Sequence, residues 1–433
     1  MTFDGFDLPD ELRLMRDVAR RFVAERLRKV EAEIGPEATR IPDDRLAGLR
    51  AEARAAGLWC LDAPAGYGGG GLSAFELVVV LEEACKHRFC FPHAGGGAFG
   101  HSPPVVLYQG DPGLIDRYVK PAIEQGWTSY TAIAEEAGGS DPARAIKTTA
   151  RRDGDEWVLT GRKMWITNAD RARFGVVYAR APGGISAFVV DSGLPGMSIT
   201  PIPVIRDHWP TELVLDEVRV PAGNLVGEEG KGLALAANWL VRGRLTYAAR
   251  AVGVAQEAVR IATEWVRDRK TFGAVLATRQ AVQWPIADSQ VEIDAGRLLT
   301  WKAAWQDDAG RDARLDAAKA KLYCTEMAFR VVDRMIQLLG AMGVARELPL
   351  EGWLRDLRVA RLVEGSSEML RSQIARQVIG PAVRPPSTGA DLSSRTHPAY
   401  PPDPPWAAGG RGSRGRPSTD SASTLRWMFE APA

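Results

Sequence analysis

The sequence predicts an α+β protein: an N-terminal α-helical domain, a middle β domain, a C-terminal four-helix bundle and a disordered C-terminal tail. Three observations carry that expectation. The hydrophobic period is three to four over residues 1–125, switches to two over 126–228, and returns to three to four over 229–380. No helical stretch alternates with the strands of the middle segment, which excludes βαβ units. Composition breaks sharply at Gly380, and residues 381–433 hold 10 of the 28 prolines and no apolar period.

Each element follows from local residues. Leu12, Met15, Val18, Ala19, Phe22, Val23 and Leu27 form one apolar stripe at helical spacing, with Arg13, Arg16, Arg20 and Glu25 off it. Pro42-Asp43-Asp44 opens a second helix from Asp44 to Ala56, which Gly57 closes. Gly66 to Gly71 reads as a loop, and Ser73 caps a third helix reaching Glu83. Phe174–Ala179, Ile185–Asp191, Met197–Val204 and Thr211–Val220 are β-branched runs broken by Pro and Gly, the pattern of hairpins and meanders. Leu233–Arg267, Thr278–Trp305, Asp312–Leu339 and Ser366–Val378 are the four bundle helices. The tail cannot bury enough apolar surface to offset the entropy of ordering.

Composition excludes several functions. The chain has 433 residues, 45% hydrophobic and 25% charged, which is ordinary for a globular protein. With 55 Lys+Arg against 54 Asp+Glu, it has no basic surplus to bind nucleic acid. Arg far outnumbers Lys, which together with the many Ala reads as the imprint of a GC-rich genome. Four cysteines make no disulfide framework. Met1 to Asp10 holds three acidic residues and no basic one, unlike a signal peptide. Apolar runs such as Val78–Leu81 fall far short of the roughly 18 residues of a membrane span. A cytoplasmic protein with no membrane partner is expected.

Common site motifs are weak. Gly66-Tyr67-Gly68-Gly69-Gly70-Gly71 contains a GxGxxG, but no hydrophobic strand precedes it and no acid follows at the right distance. Cys85, His87, Cys90 and His93 lie close in sequence without a CxxC half-site, so they read as buried thiols and loop histidines, and no metal is expected. No GxxxxGK[ST] or GxSxG occurs.

The chemistry lies in Ala132-Ile133-Ala134-Glu135-Glu136-Ala137-Gly138-Gly139-Ser140-Asp141 and Thr160-Gly161-Arg162-Lys163-Met164-Trp165-Ile166-Thr167-Asn168. A small-residue loop lets a flat or phosphorylated ligand approach the backbone. A Trp followed by a Thr at a strand edge offers a stacking face and a hydroxyl. Taken alone, Trp165 reads as core, Arg269 as a solvated helix end, and Glu364 as an exposed acid near a helix N-terminus.

Together with Arg269-Lys270-Thr271-Phe272-Gly273 and Gln280, Gln337-Leu338-Leu339-Gly340-Ala341-Met342-Gly343, and Val363-Glu364-Gly365-Ser366-Ser367-Glu368, these segments resemble the acyl-CoA dehydrogenase family over about residues 8–380. The resemblance implies FAD between the β domain and the bundle. Trp165 would pack on the flavin ring and Thr167 would bond near its N5. Ala134, Gly139, Ser140, Thr271, Ala341, Ser366 and Glu368 would also belong to the cofactor site, with Ser140 close to the phosphate and pantetheine end of the substrate and Gly139 giving backbone access. Arg269, Phe272, Gln280 and Gln337 would hold the adenine half, with Arg269 and Phe272 reaching a neighbouring subunit's cofactor. That implies a homodimer or homotetramer.

By the same resemblance Glu364 is the catalytic base. Ser140, Arg244, Glu364 and Gly365 contact an acyl-CoA or acyl-carrier thioester, whose carbonyl is polarised by a flavin hydroxyl and the backbone N–H of Glu364. Some relatives place the base on the first bundle helix, where this chain has Gly243 before Arg244. Electrons would pass to an electron-transfer flavoprotein. The same scaffold also supports oxidases, flavin monooxygenases, carrier-protein-thioester dehydrogenases and non-catalytic flavin- or CoA-binding paralogues. A retained Glu364 argues against the monooxygenases. Ala134 stands where a hydroxyl residue is usual, Ala341 where Gly or Ser is, and Gly352 where a basic residue is. Pro142 to Ala145 carries one extra residue. The loop Ile205–Thr211, in the region that shapes the family's substrate entrance, is short and contains Asp207-His208-Trp209-Pro210.

Overall fold

The computed structural model describes residues 8–91 and 93–380; the expected tail lies outside them. The N-terminal part is helical: α1 (Asp10–Phe22), α2 (Arg28–Ile34), α3 (Asp43–Ala55), α4 (Ala74–Ala84), α5 (Pro112–Leu114) and α6 (Lys120–Gln125). The first apolar stripe is one helical path through α1 and α2, with a π turn over Val23–Leu27. Val23 and Leu27, four residues apart, are both buried on one face there. The Ser73 cap is present as a full capping box: Ser73 Oγ accepts from Glu76 N–H, and the Glu76 carboxylate accepts from Ser73 N–H.

The middle part is an eight-stranded sheet. Its strands are β1 (Ser129–Ala132), β2 (Thr149–Asp153), β3 (Glu156–Ile166), β4 (Phe174–Ala181), β5 (Gly184–Asp191), β6 (Met197–Pro201), β7 (Thr211–Pro221) and β8 (Leu225–Val226), with the short helix α7 (Pro142–Ala145) between β1 and β2. The order is β6-β7-β3-β2-β4-β5-β8, with β1 alongside β4. Pairing is antiparallel except for β1 and β2 against β4. β4 and β5 are buried almost end to end, because this sheet is covered on both faces.

The C-terminal part has three long helices and two shorter ones: α8 (Gly232–Asp268), α9 (Gln280–Asp308), α10 (Arg314–Leu339), α11 (Leu350–Ala360) and α12 (Ser367–Ile379). The sequence reading counted four helices and missed α11. Its buried Leu350, Trp353, Leu357 and Ala360 do recur at helical spacing, but over only three turns. A small hairpin of β9 (Lys270–Thr271) and β10 (Ala274–Val275) links α8 to α9.

The N-terminal helices and the bundle share one core, in which Leu77, Val78 and Leu81 of α4 pack with Leu245, Val252 and Ala255 of α8 and Met327 and Val331 of α10. A Cβ at Gly253 would stand 2.2 Å from the Glu82 carbonyl oxygen, so α4 and α8 approach closely enough to require glycine there. Glu82 is buried on α4 and meets Arg297 of α9 at 2.8 Å and the Trp301 indole N–H at 3.0 Å. Asp308, at the end of α9, accepts from the backbone N–H groups of Ala74 and Phe75 at 2.7 and 2.9 Å, capping α4 from 234 residues away.

Candidate active site

A cavity of about 1400 Å³ opens where the sheet, the loops over 93–108, helix α8 and the turn before α12 meet. Its lining is mostly apolar, with a few convergent polar groups, as expected of a small-molecule site.

One wall is the glycine loop, which is anchored from beneath. Glu135 is buried; it accepts from the backbone N–H groups of Lys147 and Thr148 at 2.7 and 3.0 Å, from the Thr148 hydroxyl at 2.6 Å, and pairs with Lys163 at 2.8 Å. These four donors hold its carboxyl below the ordinary range even though burial pushes the other way. Lys163 is fully buried on β3, so the pair fixes the loop carrying Ala134, Gly139 and Ser140 to the sheet. All three border the cavity.

A second wall comes from the end of β3. The β3–β7 register shifts between Lys163 and Ile166, and inside that bulge Trp165 takes φ +64°. A bulge re-aims side chains. Here it turns an indole that strict alternation would put against the sheet onto the cavity, where it stays 55% exposed. Thr167 follows on the same wall, and Asn168 donates to His93 Nε2 at 2.8 Å. A broad exposed ring face beside small residues fits a flat flavin ring.

Glu364 faces these walls from the turn between α11 and α12. Its φ is +54° and that of Gly365 is +90°. A non-glycine residue there costs about 1–3 kcal/mol and persists only where its surroundings hold it. They do: fully buried Lys321 on α10 donates to the Gly365 carbonyl at 2.8 Å, Arg244 on α8 donates to the Glu364 carbonyl at 3.4 Å, and Ser366 caps α12. Glu364 Oε2 is shielded from solvent and has no hydrogen-bond partner. Burial pushes the carboxyl up to about 7, against the opposing pull of Lys321, Arg244 and Arg250. The Lys321 ammonium is pushed down to about 8 by its own burial. A Cβ at Gly243 would lie 2.8 Å from Glu364 Oε2, so glycine there makes room for the carboxylate.

Ser140, Trp165, Thr167, Arg244, Glu364, Gly365 and Ser366 therefore share one cavity with Ala134 and Gly139. The other singled-out residues do not border it. Arg269, Thr271 and Phe272 lie in or beside the β9–β10 hairpin, with Phe272 98% exposed at the tip at φ +51°. Gln280 starts α9, while Gln337 and Ala341 are exposed at the end of α10. Glu368 is exposed in the first turn of α12. Sequence reasoning missed Lys321, Arg206, Tyr247 and Arg250. Lys321 left a signal: a lone lysine in the buried stripe Ala317, Lys321, Cys324, Ala328 of α10. Arg206 left none, because nothing local marks a loop arginine as buried. Among the described residues, no group of His, Cys, Asp and Glu is placed to hold a metal ion, and no helix is long and apolar enough to cross a membrane.

Three family models match the chain in order: "Acyl-CoA dehydrogenase, N-terminal domain" over residues 9–125, "middle domain" over 131–218 and "C-terminal domain" over 230–379. The chain is 33% identical over 393 residues to (R)-benzylsuccinyl-CoA dehydrogenase of Thauera aromatica, covering 86% of this chain and 97% of that one. The structure of butyryl-CoA dehydrogenase from Megasphaera elsdenii superposes with a TM-score of 0.77 at 27% identity, over 87% of this chain and 100% of that one. A glutaryl-CoA dehydrogenase from Mycobacterium smegmatis in complex with FADH2 gives 0.77 at 26%, over 87% and 96%.

Proposed function

We propose that this chain, which belongs to the acyl-CoA dehydrogenase family and is a FAD-dependent oxidoreductase acting on acyl-CoA, uses Glu364 as the base that takes the α-proton of the acyl thioester. The observation that carries this reading is the buried, unpartnered Glu364 Oε2, bordering the same cavity as Trp165 and Thr167. A carboxylate whose pKa lies near 7 is a far better base than a solvated one and is still half ionised at neutral pH. The α-proton passes to Glu364 Oε2, the β-carbon loses hydride, and the α,β double bond forms from the remaining electron pair. Bound FAD supplies the hydride acceptor. Trp165 gives the ring a face, Thr167 a hydroxyl at its edge, and Gly139 with Ser140 an approach to phosphate. The Glu364 backbone N–H is the donor for the thioester oxygen. Lys321 and Arg244 keep that turn in its left-handed conformation.

The exposed hairpin supports a reading in which a second copy completes the cofactor site. Phe272 projects fully into solvent, and Trp284, Val291, Leu298 and Trp305 form an exposed apolar stripe along α9. A homodimer or homotetramer covering this face brings Arg269 and Phe272 to the neighbour's flavin. An electron-transfer flavoprotein is the expected acceptor. The test of the base is Glu364→Gln: the variant keeps bound, yellow FAD and fails to bleach anaerobically with acyl-CoA. Full bleaching at the wild-type rate would remove Glu364 from the role.

A further inference from the structure

The cavity has a buried cationic end that removal of an α-proton and a hydride does not use. Arg206 borders the cavity and is only 6% exposed, yet its Nε has no hydrogen-bond partner. It is held in place from both sides. Arg355 of α11 donates to the Ile205 carbonyl at 3.2 Å and to Asp207 at 2.9 Å, and is itself fixed by Glu351 at 2.9 Å. The loop therefore presents Arg206 from a fastened backbone. Arg250 borders the same cavity. It lies two turns of α8 beyond Gly243, about 10 Å along the axis, with its guanidinium 5.9 Å from the ring of Tyr247.

Glu364 and Asp356 are among the acids that act on these cations. Arg250 acts on Glu364, which is needed for the proton, and Arg206 acts on Asp356. Asp356 lines a second small cleft that Arg206 also borders, and burial pushes its carboxyl up to about 7, so near neutral pH it neutralises Arg206 only in part. His93, His101 and His208 lie well below the ordinary imidazole range, mainly through burial, with the nearby arginines adding to it, so they stay neutral and add neither positive nor negative charge. A neutral acyl end would leave the buried Arg206 Nε without an acceptor. A carboxylate would complete its planar fork.

We propose that the substrate's acyl group carries a second carboxylate at its end remote from the thioester, bound by Arg206 with Arg250 beside it. This assignment rests on the dehydrogenase reading above and specifies its substrate class.

The test compares anaerobic flavin bleaching by glutaryl-, adipoyl- and suberoyl-CoA with valeryl-, hexanoyl- and octanoyl-CoA on the holoenzyme. At least one carboxylated member exceeds its unsubstituted partner in kcat/KM by about tenfold or more. Arg206→Gln shrinks that ratio by about 10- to 100-fold, the range of a charge-assisted hydrogen bond, and Arg206→Lys restores part of it. Calorimetric titration of both variants with the preferred carboxylated thioester follows the same order. Bleaching only by unsubstituted thioesters overturns the carboxylate and leaves the dehydrogenase intact. A ratio unmoved by Arg206→Gln overturns the role of Arg206. Bleaching by neither class overturns both readings.

Discussion

Gly243→Ala separates the requirements of the fold from those of the reaction. Gly243 lies inside α8, where alanine is favoured over glycine by about 1 kcal/mol. The added Cβ would stand 2.8 Å from Glu364 Oε2, whereas ordinary contact begins at 3.4 Å. The carboxylate must therefore retreat by about 0.6 Å, and displacements on the order of 1 Å cost about a hundredfold in rate. The expected result is a variant that melts no lower than wild type, holds FAD at the same stoichiometry and reduces it about tenfold more slowly. Stopped-flow reduction under anaerobic conditions with a matched thermal melt measures both quantities. An unchanged rate would show that the carboxylate does not work from this position. A rate loss accompanied by a lower melting temperature would show that the glycine serves packing instead.

Other consequences follow from the same site. A proposed base such as Glu364 would act ionised, so kcat/KM for flavin reduction is expected to fall about tenfold per pH unit below about 7 and level above it; a flat profile from pH 5 to 8 counts against Glu364. Its folded pKa near 7 exceeds the ordinary 4.5, so the native state binds the proton more tightly and loses stability as pH rises through that window. Glu364→Gln should accordingly melt higher than wild type at pH 8, with the difference fading below pH 4.5; equal melting curves at pH 8 contradict this. Lys163→Met strands Glu135 in a buried position, costs about 3–5 kcal/mol and weakens FAD retention by freeing the glycine loop; differential scanning calorimetry and flavin release on dilution report it. Trp284→Glu with Trp305→Glu shifts the sedimentation coefficient to that of a single chain, and an unaltered oligomer would place the subunit interface elsewhere.

Periodic and capping signals were legible because they are local. The Ser73 cap, the stripe through Leu27 and the strands from Phe174 to Asp191 each depend on neighbours within a turn or a strand. The segments around Gly139, Trp165 and Glu364 were visible as segments, but not the conformations that bring them to one cavity. Trp165 reaches the cavity through a bulge, and Glu364 takes a conformation that its own side chain disfavours. Both are imposed by tertiary contacts, such as those from Lys321 and Arg244, that sequence spacing does not encode. Arg206 is the extreme case: an arginine in a short loop reads as solvated until Arg355, far along the chain, fastens the loop around it.

The cap that Asp308 places on α4 bears on how the molecule is made. The first four helices leave the ribosome long before the residue that completes their packing exists, and so does the surface that α8 to α10 will cover. The sheet, whose partners are closer in sequence, is the part that can assemble during synthesis. A chain that ends before α8 leaves those apolar helix faces uncovered, and one that ends just before Glu364 keeps Trp165 and Thr167 on the sheet but lacks the carboxylate that faces them.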